Sequence, residues 1–163
     1  DGEYYLEMYR QQYGLPTTSL RYFNVYGPRQ DPKSQYAAAV PIFIHRAVRG
    51  EPITIYGDGQ QTRDFVYVKD VVQANVLAAN NPSMFGAYNV AGGKVITISE
   101  LAHSIVDRVH QAGGPKSEIV YAPPRPGDIK DSWSDTSKIQ SCGFKPAFDL
   151  SAGLEATVRF FAK

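Results

Sequence analysis

Short segments rich in β-branched and aromatic residues alternate with amphipathic ones along this chain, and glycine or proline marks most of the junctions. "TTSLRYF", "ITIY", "DFVYV", "AYNVAG" and "EIVYA" read as strands. Ahead of them, Tyr5, Met8, Tyr9 and Tyr13 fall at i, i+3, i+4 and i+8, which is one face of a helix that Gly14 and Pro16 end. "PIFIHRAVRG" predicts a second helix, with Pro41 in its first turn and Gly50 at its close. Residues 70–79 predict a third, with Val72, Val76 and Ala79 on one face. Ser99 is expected to cap a fourth, whose apolar stripe is Leu101, Ile105 and Val109. Two short helices are expected near residues 136–140 and 152–161, and "NVYGPRQDPKSQ" and residues 123–127 predict loops. Strands alternating with helices restrict the chain to an α/β fold, with the first and third helices covering a sheet. At 163 residues there is enough chain for one domain with a sizeable core.

Composition narrows the function classes. Seventeen basic and 16 acidic residues leave a net charge of +1, which argues against a nucleic-acid binder or a polybasic membrane binder. The longest apolar run, residues 37–44, is interrupted by Pro41 and falls far short of the ~20 residues that cross a bilayer. The single cysteine, Cys142, cannot form an internal disulfide, and a reducing cytoplasm fits it. The chain opens at Asp1, directly in a helical pattern, so a fragment of a longer protein is expected.

Two arginines stand beside glycine turns. Arg63 follows "GDGQQT" and Arg125 opens "RPGD". A guanidinium offers planar paired donors that match phosphate oxygens. Equally, Arg63 could pair with Asp58 or Asp64, and Arg125 with Asp128, as surface ion pairs. His103, Asp107 and His110 are spaced four and three apart on one helix, which suits a solvated polar face better than a metal site. Thr17, Thr18 and Ser19 have no base beside them, so nothing there supports nucleophilic catalysis. No G-x-G-x-x-G occurs, and Gly92–Gly93 stands alone.

Taken together and in order, "LRYFNVYGPRQDP", "IYGDGQQTRDFVYVKDVV", "YNVAGG…ITISEL" and "RPGD…SWSD…GFKP" resemble the second half of an extended short-chain dehydrogenase/reductase, within the NAD-dependent epimerase/dehydratase family. The subfamily most similar is that of UDP-glucose 4-epimerases. The resemblance spans almost all 163 residues. It implies an α/β fold made of the last Rossmann strands plus the smaller substrate-binding domain, with residues 1–163 forming a single nucleotide-sugar-binding half. It also implies that Arg63 and Arg125 grip the two phosphates of a UDP-sugar and that Asp128 accepts from the ribose hydroxyls. Asn24 would contact a phosphate or the sugar. Ala39 and Val40 would meet the uracil, with Tyr56 across from them, and Ser132 would line the hexose pocket. Tyr22 and Phe23 would lie near the nicotinamide of NAD.

The same resemblance implies what these residues lack. The family's NAD-binding half and its Y-x-x-x-K pair come earlier in its chains, and neither motif occurs here. In the family, the tyrosine takes a proton from the sugar 4-hydroxyl and hydride passes between C4 and NAD. An isomerase of carbohydrate metabolism is therefore implied for a longer parent, and no activity for these residues alone. Alternatives within and beyond that reading are a nucleotide-sugar 4,6-dehydratase or decarboxylase, or a binding module without chemistry. The first helix resembles one that builds the family's homodimer.

Overall fold

In the computed structural model, which describes residues 1–34 and 38–162, the first helix α1 (Gly2–Tyr13) stops at Gly14. Its φ of 65° lies in the left-handed region that a side chain disfavours. The chain continues through β1 (Thr18–Tyr22), β2 (Val25–Tyr26), α2 (Ala39–Val48), β3 (Ile53–Tyr56), β4 (Thr62–Asp64) and β5 (Val66–Tyr67). Then come α3 (Val68–Asn80), β6 (Gly86–Val90), β7 (Val95–Thr97), α4 (Ile98–Gln111) and β8 (Ile119–Ala122). β9 (Asp131–Ser132), α5 (Ser137–Ser141) and α6 (Leu150–Phe161) finish it. Gln35, read as loop, and Ala37, read as the start of the longest apolar run, lie outside the described residues.

Parallel pairing dominates, as expected where helices connect strands. β1 pairs with β6, Thr18 opposite Gly86 and Tyr22 opposite Val90. β2 pairs with β5, and β3 with β8, Tyr56 opposite Ala122. β4 lies between β7, antiparallel, and β9, parallel. One apolar cluster joins Ile44 of α2, Ile53 and Ile55 of β3, Leu101 and Ile105 of α4 and Leu154 of α6, all essentially inaccessible. A second joins Val66, Ala74, Met84, Val90, Ile139 and Phe144 around α3, β6 and α5.

Several expectations need correction. The cap of α4 is Thr97, whose hydroxyl accepts from the Glu100 N–H at 3.1 Å while the Glu100 carboxylate accepts from the Thr97 N–H at 2.8 Å. That reciprocal box satisfies two otherwise orphaned donors, so the helix starts there and Ser99 falls inside it. In α3, Val72 and Val76 do share a face, but that face is more than half exposed; Val71 and Ala74 are the buried ones. α1 buries no residue at all, with Tyr4 at 74% and Tyr13 at 75% exposure. β2, β4, β7 and β9 have two or three residues each and were not expected with these bounds, and "DFVYV", read as one strand, divides between the end of β4, β5 and the start of α3. No described helix is long and apolar enough to cross a membrane.

Candidate binding cleft at the ends of two parallel strands

β3 and β8 run parallel and in register, so the loops that follow them leave the sheet side by side. Such strand ends are where α/β sheets place their ligands. Between these loops and α2 lies a cleft of about 410 Å³. Asn24, Ala39, Tyr56, Arg63, Arg125 and Asp128 all line it. Six of the ten residues singled out in the sequence thus meet at one place.

Each is held for a local reason. After Tyr56 the chain reverses through Gly57 and Gly59, at φ 81° and 75°. The Asp58 carboxylate accepts from the Gln60 N–H at 2.9 Å, and Gln61 Nε2 donates to the Tyr56 carbonyl at 2.7 Å. Glycine is favoured at 59 by its φ, and a β-carbon there would also sit a tight 3.1 Å from the Ser99 β-carbon. The turn delivers Arg63 to β4, where its Nη1 donates to the carbonyls of Thr62 at 2.7 Å and Lys130 at 3.3 Å. Across the cleft, the guanidinium of Arg125 lies over the Tyr56 ring, 3.6 Å from its centroid. The Asp128 N–H donates to the Arg125 carbonyl at 3.3 Å and Gly127 has φ 83°, closing that loop.

Among the described residues, the ion pairs are Glu7–Arg10, Glu3–Arg21, Arg49–Glu51 and Glu155–Arg159. Among the described residues neither Arg63 nor Arg125 pairs with a carboxylate, so the pairings of Arg63 with Asp58 or Asp64 and of Arg125 with Asp128 are not formed. Asp64 instead turns inward. It is buried and accepts from the N–H groups of Gly92 at 2.9 Å and Gly93 at 3.1 Å. Burial raises its pKa, opposed by those backbone donors. A β-carbon on Gly92 would collide with the Phe65 carbonyl, so this glycine pair serves the buried aspartate. Asn24, at φ 39°, donates through Nδ2 to the Asp64 carbonyl at 2.9 Å, which ties the start of β2 to the same corner.

The other candidates lie elsewhere. Val40 is completely buried in the core, so its side chain faces away from the cleft that Ala39 lines. Helical geometry puts successive residues about 100° apart, and only one of this pair can face the opening. Ser132 sits opposite Arg63 in the β4–β9 register but does not line the cleft. Tyr22 lines a separate cavity of about 420 Å³ beside β1 and α3, where its hydroxyl donates to Asn75 Oδ1 at 2.9 Å. Phe23 is half-buried, its N–H donating to the Val90 carbonyl. Arg46 also lines the cleft and was missed; it donates to the Pro52 carbonyl and to Thr54 Oγ1. In sequence it is one more charged helix residue, and only the packing of α2 on β3 reveals its place. His103 and His110 each approach a backbone carbonyl, of Ser99 and Gly114. Among the described residues no group of three or more His, Cys, Asp or Glu could hold a metal ion.

A profile described as the NAD dependent epimerase/dehydratase family matches residues 2–91. A putative UDP-glucose 4-epimerase of Methanocaldococcus jannaschii is 39% identical, over 98% of this chain and 50% of its own. Among solved structures, a UDP-glucose 4-epimerase of Thermotoga maritima with UDP-glucose superimposes with a TM-score of 0.89 at 42% identity, again over 98% and 50%. A UDP-N-acetylglucosamine 4-epimerase of Methanobrevibacter ruminantium with UDP-N-acetylmuramic acid gives 0.89 at 44%, with the same coverage. The chain therefore spans about half the length of the relatives it matches.

Proposed function

The chain belongs to the NAD dependent epimerase/dehydratase family, and on that premise we propose that its cleft binds the UDP portion of a UDP-sugar, as part of a UDP-sugar 4-epimerase. The single observation that carries this is the convergence of Arg63 and Arg125, neither paired with a carboxylate among the described residues, in one cleft that also holds the aromatic ring of Tyr56. A diphosphate carries the charge two guanidinium forks match, and a flat base suits apolar and aromatic walls. Arg63 and Arg125 take the phosphates, Asp128 the ribose hydroxyls, and Ala39 with Tyr56 the uracil. Asn24 faces the phosphate or sugar end. Ser132, beside Arg63 in register, belongs to the hexose side, with room for UDP-glucose, UDP-galactose or an N-acetylated sugar.

The family's cofactor is NAD. The described residues have no glycine-rich turn between a strand and a helix that would cradle its pyrophosphate. Tyr22 and Phe23, at the end of β1, are assigned to the nicotinamide side only in the longer parent. No proton or hydride step falls to residues of this chain, and catalysis is proposed to need groups outside these 163 residues. We place the parent in the cytoplasm and assign α1 to a homodimer interface. A 4,6-dehydratase or decarboxylase parent would use the same nucleotide grip.

Calorimetric titration of the 163-residue chain with UDP, ADP and uridine tests the proposal. UDP should bind saturably and more tightly than either ADP or uridine. Equal heats for UDP and ADP would remove the uracil assignment, and no saturable binding of UDP would overturn the reading.

A further inference from the structure

The guanidinium carbon of Arg125 lies 3.6 Å from the centroid of the Tyr56 ring, and among the described residues the guanidinium N–H groups make no hydrogen bond or ion pair. A cation over an aromatic face is attracted by the ring quadrupole while its in-plane donors still point outward. Arg125 sits on an exposed loop of "PPRPGD", with no carboxylate partner among the described residues and no hydrogen bond from its side chain to fix it. A long side chain in that situation samples many rotamers, and ordering it on binding weakens affinity. Tyr56, by contrast, is the last residue of β3, paired in register with Ala122 just before the Arg125 loop. Its carbonyl is pinned by Gln61. Tyr56 is thus anchored through its backbone, whereas among the described residues the Arg125 side chain is held only by its contact with the ring.

Resting on the proposed UDP reading of this cleft, we infer that Tyr56 is a positioning residue that acts through Arg125, its ring serving as the platform that orients the guanidinium edge toward the diphosphate. The role is distinct from any contact of Tyr56 with the base. It predicts that the ring matters to UDP chiefly while Arg125 is present. It also predicts that the phenol hydroxyl, which has no part in a contact between a cation and a ring face, is dispensable.

The test is a double-mutant cycle on the full 163-residue chain, with UDP as the titrant and thermal unfolding recorded for every variant. Tyr56→Leu should weaken UDP binding about two- to fivefold, and Tyr56→Phe should restore the wild-type value. In an Arg125→Ala background, Tyr56→Leu should weaken UDP binding clearly less than it does in the wild type, what remains being the contact of the ring with uracil. If Tyr56→Leu weakens UDP equally with and without Arg125, the ring acts on the nucleotide directly and the platform role is overturned while the UDP assignment stands. If Tyr56→Phe is as weak as Tyr56→Leu, the hydroxyl matters and the inference fails. Wild-type chain that does not bind UDP removes both this inference and the function it rests on, an outcome distinct from the other two. Should Tyr56→Leu fail to fold, Tyr56→Phe and Tyr56→Trp carry the cycle: both keep an aromatic face, so both should retain the coupling to Arg125.

Discussion

At the scale of single residues, the cleft joins groups that the sequence singled out for their chemistry. Arg63 and Arg125 stood out because each abuts a glycine turn, but the residues alone left surface ion pairs open, and only the family resemblance pointed to phosphates. Val40 was not, since adjacent helical residues look alike in a string and only the packing of α2 decides which faces the core. Ser132 allows a sharp check. If it lines the hexose side, the chain should accept both UDP-glucose and UDP-N-acetylglucosamine, and Ser132→Tyr should weaken the N-acetylated sugar selectively, by about tenfold, since overlap in a packed site is worth ~1–3 kcal/mol. Equal affinities for the two sugars in that variant, by calorimetry, would place Ser132 outside the pocket. Asp64 carries a pH signature. Its folded pKa is raised, chiefly by burial, so the folded state holds the proton more tightly than the unfolded one. Stability from this group is then full below the unfolded value of about 3.9 and is lost as pH rises through the folded value. Asp64→Asn keeps an acceptor for Gly92 and Gly93 but has no proton to lose. Urea unfolding should show the variant gaining on the wild type as pH rises through that window and holding its lead above it; a gap that closes with rising pH would contradict the burial argument.

At the scale of elements, the long periodic segments were readable and the short ones were not. α1, α2, α4 and α6 follow from apolar spacing and from Gly14, Pro41 and Gly50, while β7 and β9 exist because β4 offers them edges. "VIT" is β-branched throughout but only three residues long, and nothing local in "DS" announces a strand. The cap of α4 was misplaced by two residues because Thr97 and Ser99 are both competent, and the Glu three residues beyond Thr97 decides between them. Asp70 is a further case that no pattern shows. It is wholly buried at the first turn of α3 and accepts from the N–H groups of Ala147 at 2.8 Å and Phe148 at 3.3 Å. It thereby fastens the segment before α6 to α3. Hydrogen bonds to a charged group contribute ~1.5–3 kcal/mol each. Chemical denaturation should therefore rank wild type above Asp70→Asn, which keeps one acceptor oxygen, and Asp70→Asn above Asp70→Ala. Indistinguishable midpoints for all three would show that the clasp contributes nothing.

At the scale of the whole molecule, the apolar side chains that the described residues leave exposed include two groups on helices. One is the aromatic face of α1, with Tyr5 at 57% and Tyr9 at 48% exposure; the other joins Val72 and Val76 of α3. Exposed apolar area in water is unfavourable by ~25 cal/mol per Å². We expect the chain to self-associate at micromolar concentration, and Tyr5→Lys combined with Tyr9→Lys to shift it toward monomer in light scattering. A wild-type chain that is monomeric throughout that range would contradict the assignment of α1. The α/β class was legible from alternation alone, whereas the cleft required the register of β3 with β8, a long-range pairing that brings Arg125 to Tyr56 across 69 residues of sequence. The central claim is that two arginines in this cleft hold a diphosphate. Its most direct test is the dissociation constant of UDP for the wild-type chain, Arg63→Ala and Arg125→Ala, measured at one salt concentration. Loss of a charge-assisted bond of ~1.5–3 kcal/mol predicts at least about tenfold weaker binding in each variant. Unchanged constants in both would contradict it.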